Sequence, residues 1–150
     1  MGGDLADSTE DKRKRLEGLE LFKHCTPADL EAVATITEDR TLPVGHVLCD
    51  QGRVGRECYI VLSGEADVTI SGRRVAGIGP GETVGEMGLL DHLPRSATVT
   101  AKAPMQVYVI EGKRFDQVLQ SSGVARALLV LLSRRIRDLE HGRGGLSTGY

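Results

Sequence analysis

Between residues 37 and 110 the chain is cut into short apolar segments by closely spaced turn residues, and this spacing decides most of what it can become. Residues 42–45, Leu-Pro-Val-Gly, are a turn. Residues 46–49 follow as a strand, stopped by Gln51-Gly52. Residues 58–62 form an apolar strand ending at Ser63-Gly64. Residues 66–70 alternate in polarity, and Ser71-Gly72 turns the chain back into residues 73–78. Residues 97–101 and 106–110 are the last two strands. Intervals this short leave no room for crossover helices. The strands are therefore expected to pair antiparallel and close into a sandwich or barrel, not into βαβ units.

Helical texture brackets this region. Ser8 is placed to cap a helix, with Asp11 three positions on for a capping box. That helix is read as carrying Leu16, Leu19 and Phe22 on one side. Thr26-Pro27 marks a second start, with Leu30, Val33 and Ala34 on the face of a short helix. After Gly112 come Phe115, Val118 and Leu119. A longer helix then runs from about residue 124 to 141, with Leu128, Leu132, Ile136 and Leu139 at helical spacing. Five consecutive apolar residues, 128–132, exceed what one contact face needs. A homodimer through this helix thus competes with packing against the barrel. Residues 1–7 are expected to be disordered and the Gly-rich residues 142–150 to form a flexible tail, leaving one domain over 8–141.

Composition removes several functions. A net charge of −2, 3% aromatic residues and no Trp do not make a nucleic-acid surface. Cys25, Cys49 and Cys58 are too widely spaced for a zinc site or disulfide framework and read as buried or half-buried thiols in a reducing compartment. The N-terminus lacks the apolar segment of a secretory signal, and no apolar run reaches membrane-spanning length. The expected setting is the cytoplasm, with no membrane partner. His24, His46, His92 and His141 are scattered and read as surface or turn residues. The run Lys12-Arg13-Lys14-Arg15, interleaved with acids, reads as a solvated helix face. No metal-ligand cluster or nucleophile–base pair is visible, so no metal site and no catalysis are expected.

Residues 79–101 break the strand pattern. Gly79-Pro80-Gly81 is a turn. Residues 85–90, Gly-Glu-Met-Gly-Leu-Leu, offer one helical turn that opens at a glycine, and Leu93-Pro94 ends it. Free N–H groups at such a start, with no side chain in the way, favour an anion. Arg95 adds a permanent cationic fork for phosphate oxygens. Glu86 accepts hydrogen bonds, so it suits a hydroxyl and repels a phosphate. A 3′,5′-cyclic monophosphate offers one negative charge and one free ribose hydroxyl. One Arg and one Glu match that inventory.

The block of residues 84–90 followed by Pro94-Arg95-Ser96-Ala97-Thr98 resembles the phosphate-binding cassette of cyclic-nucleotide-binding domains, without a gap. Residues 44–52 and 59–68 resemble that family's second to fourth strands, and the resemblance covers roughly residues 19–140. It implies an α+β, mainly β fold: an eight-stranded antiparallel jelly-roll (double-stranded β-helix) barrel with N-terminal helices, a short cassette helix and C-terminal helices. It further implies that Glu86 takes the ribose 2′-hydroxyl and that Arg95 pairs with the phosphate. Gly85, the backbone N–H groups of Met87, Gly88 and Ala97, and Ser96 would complete the oxygen cage. Val75 and Val84 would touch sugar or base. Arg135, with Arg134 as fallback, would reach the base from a C-terminal lid helix. Two residues depart from the family pattern: Val84 stands where an aromatic is common, and Gly88 replaces the usual Ala, a change expected only to add flexibility.

The implied function is a regulatory module that binds cyclic AMP in preference to cyclic GMP, with no cofactor, and signals through its C-terminal helix. The alternative is a ligand-sensing fragment of a larger cyclic-AMP-dependent transcription regulator, channel or enzyme. The effector is not legible. No helix-turn-helix follows the long helix before Tyr150, so nucleic-acid binding is not expected from this chain.

Overall fold

Eight short strands, nested like one long hairpin folded on itself, carry the centre of the chain. The computed structural model describes residues 7–141. The expectations for residues 1–6 and 142–150 lie outside the described residues. Asp7, expected to be disordered, is described and pairs with Arg15 at 3.4 Å. The chain divides into two compact units, one helical (residues up to 36 and from 114) and one β (residues 37–113).

In the β unit the strands are β1 (Thr37–Leu42), β2 (Val47–Cys49), β3 (Glu57–Ser63), β4 (Ala66–Ile70), β5 (Arg73–Ile78), β6 (Thr83–Val84), β7 (Thr98–Ala101) and β8 (Met105–Glu111). β1 pairs with β8, β2 with β7, β3 with β6 and β4 with β5, all antiparallel. Further β3–β8 and β4–β7 ladders join these pairs into two four-stranded sheets, ordered β1-β8-β3-β6 and β2-β7-β4-β5. The jelly-roll connectivity is as expected, but the closed barrel is not. Among the described residues no ladder joins the edges of one sheet to those of the other. The edge strands β6 and β2, with two and three residues, are too short to carry a closing ladder. The inward residues of both sheets, among them Leu42, Val61, Val68, Val84, Val99 and Val107, make one apolar core.

Two strands were not legible as such. β1 reads Thr-Glu-Asp-Arg-Thr-Leu and buries only its two ends. It is an edge strand, where charge prevents unwanted pairing. β6 is too short to show a period. The strands that were legible match closely, β4 and β5 with the same bounds as read from sequence.

The helical unit confirms both caps. In α1 (Thr9–Glu17) Asp11 N–H donates to Ser8 Oγ at 3.1 Å. In α2 (Pro27–Thr35) Asp29 N–H donates to Thr26 Oγ1 at 3.2 Å. Within the basic run, Arg13 is held by Glu10 at 2.9 Å. The single face through Leu16, Leu19 and Phe22 is corrected. Gly18, a poor helix residue, caps α1, and Phe22 belongs to a separate 3-10 turn, Glu20–Phe22. α4 (Gly112–Ser121) and α5 (Val124–Glu140) follow β8. Asp29 ties the start of α5 to α2, since its Oδ1 accepts from Gly123 N–H at 2.9 Å. The expected α5 face is corrected too. Val124, Ala127, Leu128 and Leu131 are buried, whereas Ile136 and Leu139 are exposed.

Candidate functional site

The segment between β6 and β7 carries α3 (Glu86–Asp91), which opens at Gly85. Gly85 has φ +84°, a left-handed conformation that costs other residues about 1–2 kcal/mol and glycine little. Glu86, the first helical residue, is 3% exposed. The Gly88 N–H is not open to a ligand as it stands, because it donates to the Gly85 carbonyl at 3.1 Å. Met87 contributes its backbone to the same turn.

Arg95 lies between α3 and β7 and is fixed at both ends. Its main-chain N–H donates to the Arg53 carbonyl and its own carbonyl accepts from Gly52 N–H, both at 2.8 Å. Val54 bridges Pro94 beside it. These contacts stitch the β2–β3 loop to the cassette. The guanidinium points inward, with Nη1 donating to the Gly85 carbonyl at 2.9 Å and Nη2 to the Glu57 carbonyl at 2.7 Å. Both acceptors are neutral. Arg95 is 7% exposed, makes no ion pair among the described residues, and keeps Nε shielded from solvent without a hydrogen-bond partner there.

Three glycines make room for this cation. A Cβ on Gly55 or Gly88 would fall inside contact distance of the guanidinium, and one on Gly85 would lie 2.8 Å from Nη1. The expectation that Gly88 only adds flexibility is therefore corrected: its missing side chain is the space Arg95 occupies.

The Glu57 carbonyl is itself positioned. Tyr59 Oη donates to Glu57 Oε1 at 2.8 Å, and Arg40 Nη1 lies 3.3 Å from Oε2. Burial, and then this bond to Glu57, pushes the Tyr59 hydroxyl well above its ordinary value. Across the ladder Tyr59 is the register partner of Val84. An aromatic ring thus stands next to the position where the family often has one. The thiols of Cys49 and Cys58 sit near the two charges. Burial raises both, while Arg95 pulls them down and Glu86 pushes them up.

Gly85 and Gly88 lie against the Arg95 guanidinium, with Glu86 between them in α3. Ser96 is exposed beside Arg95, and Ala97 is buried in the β core. Val84 is sealed in that core, whereas Val75 is 46% exposed on β5. Arg135 belongs to the helical unit, half-buried on α5. Sequence reasoning missed Gly55, the Glu57 carbonyl and the Gly52–Arg53 clamp. The one available signal was a second glycine, Gly55, in a loop that Gly52 already turns. Among the described residues no group of His, Cys, Asp and Glu is arranged to hold a metal.

The family model described as "Cyclic nucleotide-binding domain" matches residues 39–122. The chain is 32% identical over 136 residues to Acetyltransferase Pat of Mycolicibacterium smegmatis, covering 88% of this chain and 41% of that protein. It is 30% identical over 131 residues to the Cyclic AMP receptor protein of Thermus thermophilus, covering 83% and 61%. The solved N-terminal domain of a transcriptional regulator from Streptomyces coelicolor A3(2) superposes with a TM-score of 0.75 at 28% identity, covering 91% of this chain and 99% of that one. The chain spans only 28–61% of the length of the curated relatives it matches.

Proposed function

The chain belongs to the cyclic nucleotide-binding domain family, and from that premise we propose that its cassette captures one 3′,5′-cyclic nucleotide, cyclic AMP in preference to cyclic GMP, and relays the event to an effector. The observation that carries this is a buried arginine that makes no ion pair with a carboxylate among the described residues. A lone buried cation is costly, and its Nε–H still lacks an acceptor. A cyclic phosphate supplies one negative charge and the missing acceptors. Glu86, at the opening of α3, takes the ribose hydroxyl. Gly85, the backbone of Met87, Gly88 and Ala97, and Ser96 surround the phosphate, Gly88 after releasing the Gly85 carbonyl. Val75 meets sugar or base, and Val84 supports the cassette from the core. Arg135 on α5 reaches the base in the bound state, so ligand capture biases the position of that helix. No cofactor or metal is required, and no catalysis is assigned to this chain. The setting is the cytoplasm, in keeping with three free cysteines. Among the described residues no helix is long and apolar enough to cross a membrane.

Calorimetric titration with cyclic AMP and cyclic GMP tests the reading. Saturable binding with tighter cyclic AMP is expected, and no heat with either nucleotide would reject it. Arg95→Ala is expected to weaken binding by about 2–4 kcal/mol, the cost of losing a buried charge-assisted contact. A loss below about half a kcal/mol, within ordinary surface-substitution noise, places the phosphate elsewhere. AMP appearing on incubation with cyclic AMP would overturn the non-enzymatic reading. The effector is proposed to be a separate domain or protein.

A second copy of the chain is a proposed partner. Leu129, Leu132, Ile136 and Leu139 recur on α5 in steps of three and four, the a/d spacing of a coiled coil, and three of them are at least half exposed. In a parallel pair Arg135 and Glu140 take g and e positions with opposite charge. Light scattering is expected to give a dimer that Ile136→Glu dissociates. A wild-type monomer at high protein concentration would reject the pairing.

A further inference from the structure

We propose that the helical unit carries a second anion site, separate from the cassette, for a phosphate-bearing small molecule of two or more negative charges. A cavity of about 420 Å³ is lined by Lys23 and His24, just after the 3-10 turn, and by Arg134, Arg135 and Arg137 of α5, with Glu20 and Asp138 its acidic members. That volume falls within the range of roughly 300–1,000 Å³ typical of small-ligand pockets and is too small for a macromolecule.

Ion pairing is uneven among the described residues, and outside this cluster Lys14, Arg56, Arg73, Lys113 and Arg126 also stand beyond ion-pair distance of a carboxylate. Arg13, Arg15, Arg40, Arg53, Arg74 and Lys102 each sit within ion-pair distance of a carboxylate. Among the described residues none of Lys23, Arg134, Arg135 and Arg137 does. Four permanent cations therefore share one small space with two carboxylates, and although Lys23, Arg134 and Arg137 also face solvent, the net positive charge favours an anion there. Arg134 and Arg137 are helical neighbours on one face and also line the adjoining groove with Arg126. Two planar guanidinium forks suit phosphate oxygens better than a single carboxylate. His24 also lines this wall, and its Nε2 is cut off from solvent with no hydrogen-bond partner among the described residues. The excess of charge points to a ligand more highly charged than the monoanion assigned to the cassette.

The test is titration of inorganic pyrophosphate into the full chain in a phosphate-free buffer, read by calorimetry and by the His24 ring resonances. Saturable one-to-one binding that shifts the His24 ring is expected. Arg134→Ala with Arg137→Ala is expected to weaken it at least about tenfold, a change easily resolved in Kd. Arg134→Lys with Arg137→Lys, which keeps helix and charge but loses the forks, is expected to weaken it partly. Lys23→Ala with Arg137→Ala, which spares Arg134 and Arg135, should weaken pyrophosphate binding while cyclic AMP binding persists. Three results overturn the proposal: no saturable heat, an effect reproduced by sodium chloride at matched ionic strength, or loss of pyrophosphate binding on Arg95→Ala. The last would assign pyrophosphate to the cassette and leave the proposed function standing.

Discussion

Gly55→Ala is the sharpest perturbation this site offers. The backbone of Gly55 is not in the left-handed region, so alanine brings no left-handed strain. Its Cβ, however, falls on the Arg95 guanidinium, inside contact distance of Nε, Cζ and Nη2. The guanidinium is held on one side by carbonyls and on the others by Gly85 and Gly88, so it cannot yield by a few tenths of an ångström. It must leave the cradle. That breaks two charge-assisted bonds of about 1.5–3 kcal/mol each. Rehydration of the displaced cation returns much of this, so the net effect on the free chain is small. Ligand binding loses the preorganised cation, and we expect about 2–3 kcal/mol, or roughly 30- to 150-fold in Kd. Calorimetry with cyclic AMP reads it. Gly79→Ala, whose Cβ meets only Glu82 Oε1 at 3.9 Å, is the control and should bind normally. The decisive form is a double-mutant cycle. If Gly55 acts through Arg95, Gly55→Ala has no further effect in an Arg95→Ala background. Additive losses, or a Gly55→Ala Kd within threefold of wild type, refute the cradle.

Two further outcomes follow from the same geometry. Asp29→Ala leaves the N–H groups of Thr26 and Gly123 without their acceptor and should destabilise the fold by about 1–3 kcal/mol in denaturant unfolding. Unchanged stability would mean that water replaces both bonds. Alkaline pH should also weaken the fold. Burial, reinforced by Asp29, pushes the Cys25 thiol up to about 11, and burial raises Cys49 and Cys58 as well. A folded value above the unfolded one means stability complete below about 9 and lost as pH rises through the folded value. Melting temperature should therefore fall between about pH 9 and 11. A flat profile there would contradict the burial of the thiols.

What the sequence disclosed and what it hid follow one physical division. Local rules were legible: the Ser8 and Thr26 caps, the β4–β5 hairpin through Ser71-Gly72, and the short helix that opens at Gly85 are each written in adjacent residues. The placing of Glu86 and Arg95 in one cassette was legible because both charges are named in one block. The fixing of Arg95 was not, because it depends on Gly55 and the Glu57 carbonyl. One contributes by lacking a side chain and the other by its main chain, and both lie far off in sequence. β1 was hidden for the opposite reason. Its polar residues obey the edge of a sheet, and edges exist only once the other strands are placed.

Burying Arg95 without a carboxylate implies a trade between stability and binding. Removing a guanidinium from water costs several kcal/mol, and bonds to two neutral carbonyls repay only part of that. The free chain therefore holds a deficit that a bound monoanion cancels. Arg95→Met fills the cradle with a flexible apolar chain and leaves the main-chain clamp to Gly52 and Arg53 intact. The free variant should melt at or above the wild-type temperature while losing most of the ligand-induced rise. In the wild type that rise corresponds to about 2.7 kcal/mol at a hundredfold excess of ligand over Kd. Parallel thermal melts with and without cyclic AMP separate the cases. A free Arg95→Met chain destabilised by more than about 1 kcal/mol, the typical scale of a point mutation, would show that the two carbonyl bonds already repay the burial. The cradle would then be a structural tie, and the argument from an uncompensated cation to an anionic ligand would fail.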